Sequence, residues 1–257
     1  MQEPSHLMID GIALEVTQRG SGRPIVVLHG VEKLAAEPPL HALLADKARV
    51  IAPSHPGYGA SALPDWMDSI DDLSYLYLDL IRHLDLGDVV LVGLSLGGWV
   101  AAEMAVKCTH LLSRLVLVSP LGIKVSDRET RDIPDIFALR PEEAARLIWH
   151  KGALAPDWAS MPDEEAELLL RQQEAAALFL WEPYMHNPKL RRRLGRIDIP
   201  ALVLRGERDG LVSAAYAEAY CAAIPGARLE SLADCGHVPE YEQPARLAER
   251  IVRFAGL

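Results

Sequence analysis

The sequence predicts an α/β protein, a doubly wound and mostly parallel sheet that carries an inserted helical cap. Three observations carry that reading. Continuous apolar runs such as "PIVVL", "VVLVG", "RLVLV" and "ALVLRG" suit strands buried on both faces. Helical stretches alternate with those runs, which is the signature of a parallel sheet covered by helices on both sides. The alternation then stops near Gly122, gives way to helical patterning alone, and resumes at "IPALVLRGERD". The predicted organisation is a core of residues 1–121 and 196–257, with a cap inserted at 122–195.

In chain order, "HLMIDGIALEVTQRG" alternates apolar and polar positions about Asp10-Gly11, a dipeptide that favours a tight hairpin turn. "PIVVLHG" is the first fully buried strand, followed by a short helix in "PPLHALLADK" and a strand in "RVIAP". "SIDDLSYLYLDLIRHLDLG" opens with Ser69 and Asp72 at capping-box positions, Asp standing for the usual Glu or Gln, and its helix is expected to close at Gly87. "DVVLVGLSLGGWVAAEMAV" begins as a buried strand and ends as a helix, and "RLVLVSP" is the next strand. In the cap, "PEEAARLIWHKG" starts on a proline, and "SMPDEEAELLLRQQEAAALFLW" places Pro162 and acidic residues in its first turn. Beyond it, "IPALVLRGERD" and "ARLESLADCGH" read as strands, "SAAYAEAYCAAIPG" and "PARLAERIVRFAGL" as helices.

Composition limits the function. Half of the 257 residues are hydrophobic and 24% are charged, as in ordinary globular proteins. The net charge of −10 argues against a nucleic-acid surface, which needs a concentrated basic face. The cluster "KLRRRLGR" is read as a solvated helix face. Apolar runs are strand-sized, so no membrane span is expected. The opening "MQEPSHLMIDG" shows no secretory signal, and Cys108, Cys221 and Cys235 have no disulfide or metal spacing, so the expected location is cytoplasmic. The sequence leaves the oligomeric state open.

The chemistry gathers at Ser95, in "GLSLGG", where a strand turns sharply into a helix. Glycines at 93 and 97 let strand and helix approach around a strained serine whose hydroxyl stands above the sheet edge. A phosphate-binding loop would instead require a following lysine, which is absent. A serine hydroxyl needs a base held by an acid. His237 follows the last strand, after Gly236, and Asp209 follows the strand before it, giving the order Ser, Asp, His. Glu207 and Asp234 are the rival acids, Asp234 being read as turn chemistry. Ser119 occupies the strand end where a relocated acid would sit. Two backbone N–H groups, those of Leu96 and Val31, are expected to face the developing oxyanion. His29 is assigned to shaping its loop rather than to proton transfer.

The segments "LHG" (28–30), "HPGYGAS" (55–61), "GLSLGG" (93–98), "GERD" (206–209) and "GHVPEYEQP" (236–244) resemble the α/β-hydrolase superfamily over nearly the whole chain. The resemblance implies that Ser95 is the nucleophile, His237 the base and Asp209 its orienting acid, with Leu96 and Val31 as oxyanion donors and no cofactor or metal. Two departures stand out: "HGVEKLAAEPP" lacks a further glycine after His-Gly, and Ser54 replaces an acid common in relatives.

The expected activity is hydrolysis of small to medium apolar carboxylic esters through an acyl-enzyme, a small-molecule ester being the only partner. Trp181, Tyr184 and Met185 are the candidate pocket residues. Two other readings stand beside it. One is C–C bond hydrolysis of ring-fission diketones, whose enzymes usually carry asparagine and tryptophan where this chain has Leu94 and Val238. The other is a ligand receptor that retains the triad without turnover.

Overall fold

A computed structural model of the chain describes residues 5–34 and 37–257. Residues 1–4, part of the stretch read as lacking a secretory signal, and Ala35 and Ala36 of the loop after His29-Gly30 lie outside the described residues. The first half runs β1 (Ser5–Ile9), β2 (Ile12–Arg19), β3 (Pro24–Leu28), α1 (Pro39–Ala45), β4 (Arg49–Pro53), α2 (Ile70–His83), β5 (Val89–Leu94), α3 (Leu96–Lys107) and β6 (Leu112–Val118). The segment between β6 and β7 contributes α4 (Pro141–Ile148), α5 (Asp163–Leu180) and α6 (Leu190–Arg193), all helical. β7 (Ala201–Gly206), α7 (Ala214–Ala223), β8 (Arg228–Leu232), α8 (Pro239–Glu242) and α9 (Pro244–Ala255) complete it.

The strands form one sheet in the order β1-β2-β4-β3-β5-β6-β7-β8. The β1–β2 and β2–β4 pairs are antiparallel and every other pair is parallel. Side chains alternate across a strand, so β3 divides its residues between two cores. Val26 and Leu28 pack with α2, α3 and α7, whereas Ile25 and Val27 pack with α1 and α9. All six residues of β5 are buried, as a central parallel strand requires.

Local sequence explains the joints. Asp10 and Gly11 both take positive φ (47° and 79°), the backbone of a two-residue hairpin turn with native twist. The Ser69 hydroxyl accepts from the Asp72 N–H while the Asp72 carboxylate accepts from the Ser69 N–H, so Asp serves in the capping box. The end of α2 differs from the expectation at Gly87. The helix stops at His83, and Asp85 takes the left-handed turn at φ 49°. The Asp85 N–H donates to Arg82 O and the Leu86 N–H to Ile81 O, each at 3.0 Å, satisfying carbonyls at the helix end. Asp tolerates that conformation, so no glycine is needed there.

The helical segment between β6 and β7 is closed at its neck. The Gly122 N–H donates to Met185 O (3.1 Å) and the Asn187 N–H to Gly122 O (2.9 Å). At φ 110°, with Trp99 carbon atoms 2.3 Å from where a Cβ would stand, only glycine fits at 122.

Candidate active site

Ser95 sits between β5 and α3 at φ 50° and ψ −111°, a conformation an L-residue keeps only when its surroundings enforce it. They do so through hydrogen bonds. The Ser95 N–H donates to Val118 O (2.8 Å), and Ser95 O accepts from Gly98, Trp99 and Leu121 (3.0–3.2 Å). The glycines permit the close approach: a Cβ on Gly93 would lie 2.3 Å from Gly97 O, and one on Gly97 would lie 2.2 Å from Leu28 O. The result holds a 6% exposed serine with its hydroxyl above the carboxyl ends of the parallel strands.

His237 and Asp209 reach that hydroxyl from the loops after β8 and β7. His237 Nε2 is 2.7 Å from Ser95 Oγ, and His237 Nδ1 lies 3.0 and 3.1 Å from the two Asp209 oxygens. Asp209 Oδ1 also accepts from the Leu211 and Val212 N–H groups, both at 2.9 Å. The loops lock together because Gly206 has no side chain: a Cβ there would stand 2.1 Å from Gly236 O. Both loops also satisfy the carboxyl end of α4, the Gly210 N–H donating to Leu147 O (3.0 Å) and the His237 N–H to Ile148 O (2.8 Å). Nothing in the sequence pattern signalled that tie between α4 and the site.

Burial alone would lower the His237 pKa, but the Asp209 carboxylate overrides it and leaves the imidazole above its ordinary value, with Glu240 and Glu32 adding to the effect. Burial would raise Asp209, yet His237 and the backbone donors hold it below the usual carboxylate range. The rival acids Glu207 and Asp234 are exposed, and Ser119 is fully buried at the end of β6.

The Leu96 N–H opens α3 and has no intrahelical acceptor. Neither it nor the Val31 N–H donates to another group among the described residues. The loop bearing Val31 is fixed by a histidine pair. His29 Nδ1 donates to Gly30 O (2.7 Å) and its Nε2 accepts from the His55 N–H (2.8 Å), while His55 Nε2 donates to His29 O (2.9 Å). Burial lowers both, His55 to about 4, so these rings stay neutral and structural.

The space beside Ser95 is narrow, about 10 Å³, and is lined mainly by apolar side chains, among them Leu121, Ile136, Ile148, Met185 and Val238. Of the three pocket candidates, the structure brings only Met185 to the serine. Tyr184 turns away, its hydroxyl donating to Pro134 O (2.8 Å) and accepting from the Ile136 N–H (3.0 Å). Trp181 is 56% exposed. The sequence reading missed Glu32, which lines this pocket and whose carboxyl is pushed up by burial. It also missed Glu240, 3% exposed and pushed up to about 7 by burial.

With the geometry in hand, the comparisons are decisive for the family: residues 25–250 match the model of the alpha/beta hydrolase family. The chain belongs to that family. It is 29% identical over 265 aligned positions to an uncharacterized protein of Mycobacterium tuberculosis (strain ATCC 25618 / H37Rv), covering 91% of this chain and 76% of that one. It is 29% identical over 230 positions to the pimeloyl-[acyl-carrier protein] methyl ester esterase of Aromatoleum aromaticum, covering 80% of this chain and 88% of the esterase. Its fold is similar to that of the meta-cleavage product hydrolase CumD of Pseudomonas fluorescens IP01 (TM-score 0.77, 21% identity, 98% and 97% of the two chains). As an alpha/beta hydrolase it is a hydrolase acting on small molecules. Among the described residues no helix is long and apolar enough to cross a membrane.

Proposed function

We propose that this hydrolase cleaves small to medium apolar carboxylic esters through an acyl-enzyme formed on Ser95. The observation that carries the reading is the hydrogen-bonded chain from Ser95 Oγ through His237 to Asp209, with Nε2 at 2.7 Å from the hydroxyl. Ser95 Oγ attacks the ester carbonyl while His237 Nε2 takes its proton. Asp209 holds the proton on Nδ1 and stabilises the imidazolium. The Leu96 and Val31 N–H groups face the oxyanion. His237 then protonates the departing alcohol, activates a water, and returns the proton to Ser95 as the acid leaves. The helical segment 122–195 acts as a cap that excludes water, and α4 holds it against the two loops.

The esterase relative supports ester chemistry, while the likeness to CumD at 21% identity carries the fold alone. Leu94 and Val238, where diketone hydrolases usually have asparagine and tryptophan, favour esters over C–C cleavage. The three thiols, unpaired among the described residues, fit a reducing cytoplasm. The test is multiple turnover of a chromogenic short-chain ester beside a ring-fission diketone. Ester turnover that disappears in Ser95→Ala supports the reading; faster diketone cleavage overturns it, and stalling after one equivalent indicates a receptor.

A further inference from the structure

The narrow serine pocket adjoins a larger cavity of about 160 Å³ lined in part by α4. The two spaces share Val31, Glu32, Ile136 and Ile148 as walls, so they meet at Glu32. Among the described residues, Glu32 is the sole charged side chain lining the larger cavity, where Phe137, Trp149 and Trp158 add three aromatic rings. Two of these rings are held in place: Trp149 is 4% exposed and packs on Tyr241 at 5.7 Å between ring centres, and Phe137 meets Tyr184 edge-on at 6.4 Å. Among the described residues no lysine or arginine lines either space, and Arg191, Arg192 and Arg193 of α6 lie elsewhere.

We propose that this cavity binds an alkylammonium group, so that the preferred esters carry a cationic substituent a short chain away from the scissile carbonyl. The inference rests on the ester-hydrolase reading for the reaction, though not for the binding, and replaces a wholly apolar substrate with one whose far end is cationic. A carboxylate beside electron-rich ring faces is the arrangement that recognises a weakly hydrated cation. Glu32 makes no hydrogen bond among the described residues, burial raises its pKa, and His237 favours its ionised form. An ammonium group supplies a countercharge that favours ionised Glu32, whereas an anionic substituent would meet that carboxyl with no lysine or arginine among the described lining residues. The net charge of −10 further draws cations toward the molecule.

The experiment compares butyrylthiocholine with its neutral isostere, in which a tert-butyl group replaces trimethylammonium, by thiol release. Wild type is expected to favour the cation by roughly 10- to 30-fold in kcat/KM, the ratio that about 2 kcal/mol of desolvated cation–π and charge attraction yields. Glu32→Gln and Trp158→Leu should each reduce that ratio by several-fold. Binding of tetramethylammonium, measured by calorimetry, is a second readout that needs no turnover. Binding that both substitutions weaken supports the site even if no ester is hydrolysed, in which case the ester reading alone fails. A ratio near one in wild type, or tetramethylammonium binding that is absent or indifferent to both substitutions, overturns the proposal.

Discussion

Replacing Asp209 with asparagine should cost kcat about 10⁴-fold, and the structure gives the reason atom by atom. Oδ1 accepts from the Leu211 and Val212 N–H groups at 2.9 Å, so an asparagine must place its carbonyl oxygen there. Its NH₂ then occupies the Oδ2 position, 3.0 Å from His237 Nδ1. The amide N–H donates to Nδ1 there and competes with the carbonyl oxygen, 3.1 Å away, which favours the tautomer in which Nδ1 is the acceptor. The proton moves to Nε2, which then donates to Ser95 Oγ where it should accept. The base is present in position but in the wrong tautomer, a defect worth about 10⁴ in rate. The assay is steady-state hydrolysis of p-nitrophenyl butyrate, with circular dichroism to show that the fold is retained. Asp234→Asn is the control, since that side chain is exposed in the β8–α8 loop and should change kcat less than about 2-fold. An Asp209→Asn enzyme within 10-fold of wild type, or a larger loss from Asp234→Asn, refutes the assignment of the acid.

Gly97→Ala should fail to fold or lose at least ~3 kcal/mol of stability in urea titration, because its Cβ would stand 2.2 Å from the immobile Leu28 carbonyl oxygen. Glu240→Gln should extend activity to lower pH. Its carboxylate, titrating near 7, helps hold the proton on His237, so removing it lets the imidazole become a free base at lower pH. The acid limb of kcat/KM against pH reads this, and a shift to higher pH would contradict it. In a p-nitrophenyl ester series kcat/KM should rise by at most ~4-fold per CH₂, since each buried methylene contributes about 0.8 kcal/mol. The rise should stop once the chain fills the space beside Ser95, and Met185→Ala, which enlarges that space, should move the maximum to longer chains.

Much of the fold was legible because it rests on local rules. The apolar runs became the parallel strands, and the Ser69 capping box formed even with Asp72 as its acid. The end of α2 was misjudged because Asp85 took a left-handed turn that glycine usually provides. Ser95, Asp209 and His237 were proposed from their places after β5, β7 and β8, and the structure brings the three side chains together because strand ends on one sheet edge converge in space. The pocket could not. Glu32 lies in an irregular loop with no periodicity to report where it points, and only tertiary packing turns it toward Ser95. Of the expected pocket residues Trp181, Tyr184 and Met185, only Met185 lines the space at the serine. Trp181 faces solvent, whereas Phe137, Trp149 and Trp158 line the larger cavity and Phe179 joins the core.

The central claim is that Ser95 Oγ, activated by His237, forms a covalent bond with substrate. Reaction with a fluorophosphonate probe, followed by intact mass and peptide mapping, tests it most directly, because the reagent captures only an activated nucleophile. The account predicts one adduct per chain, on the peptide bearing Ser95, with no labelling of Ser95→Ala and its ester hydrolysis reduced roughly 10³-fold or more. An adduct on another residue, or hydrolysis retained in Ser95→Ala, would contradict it.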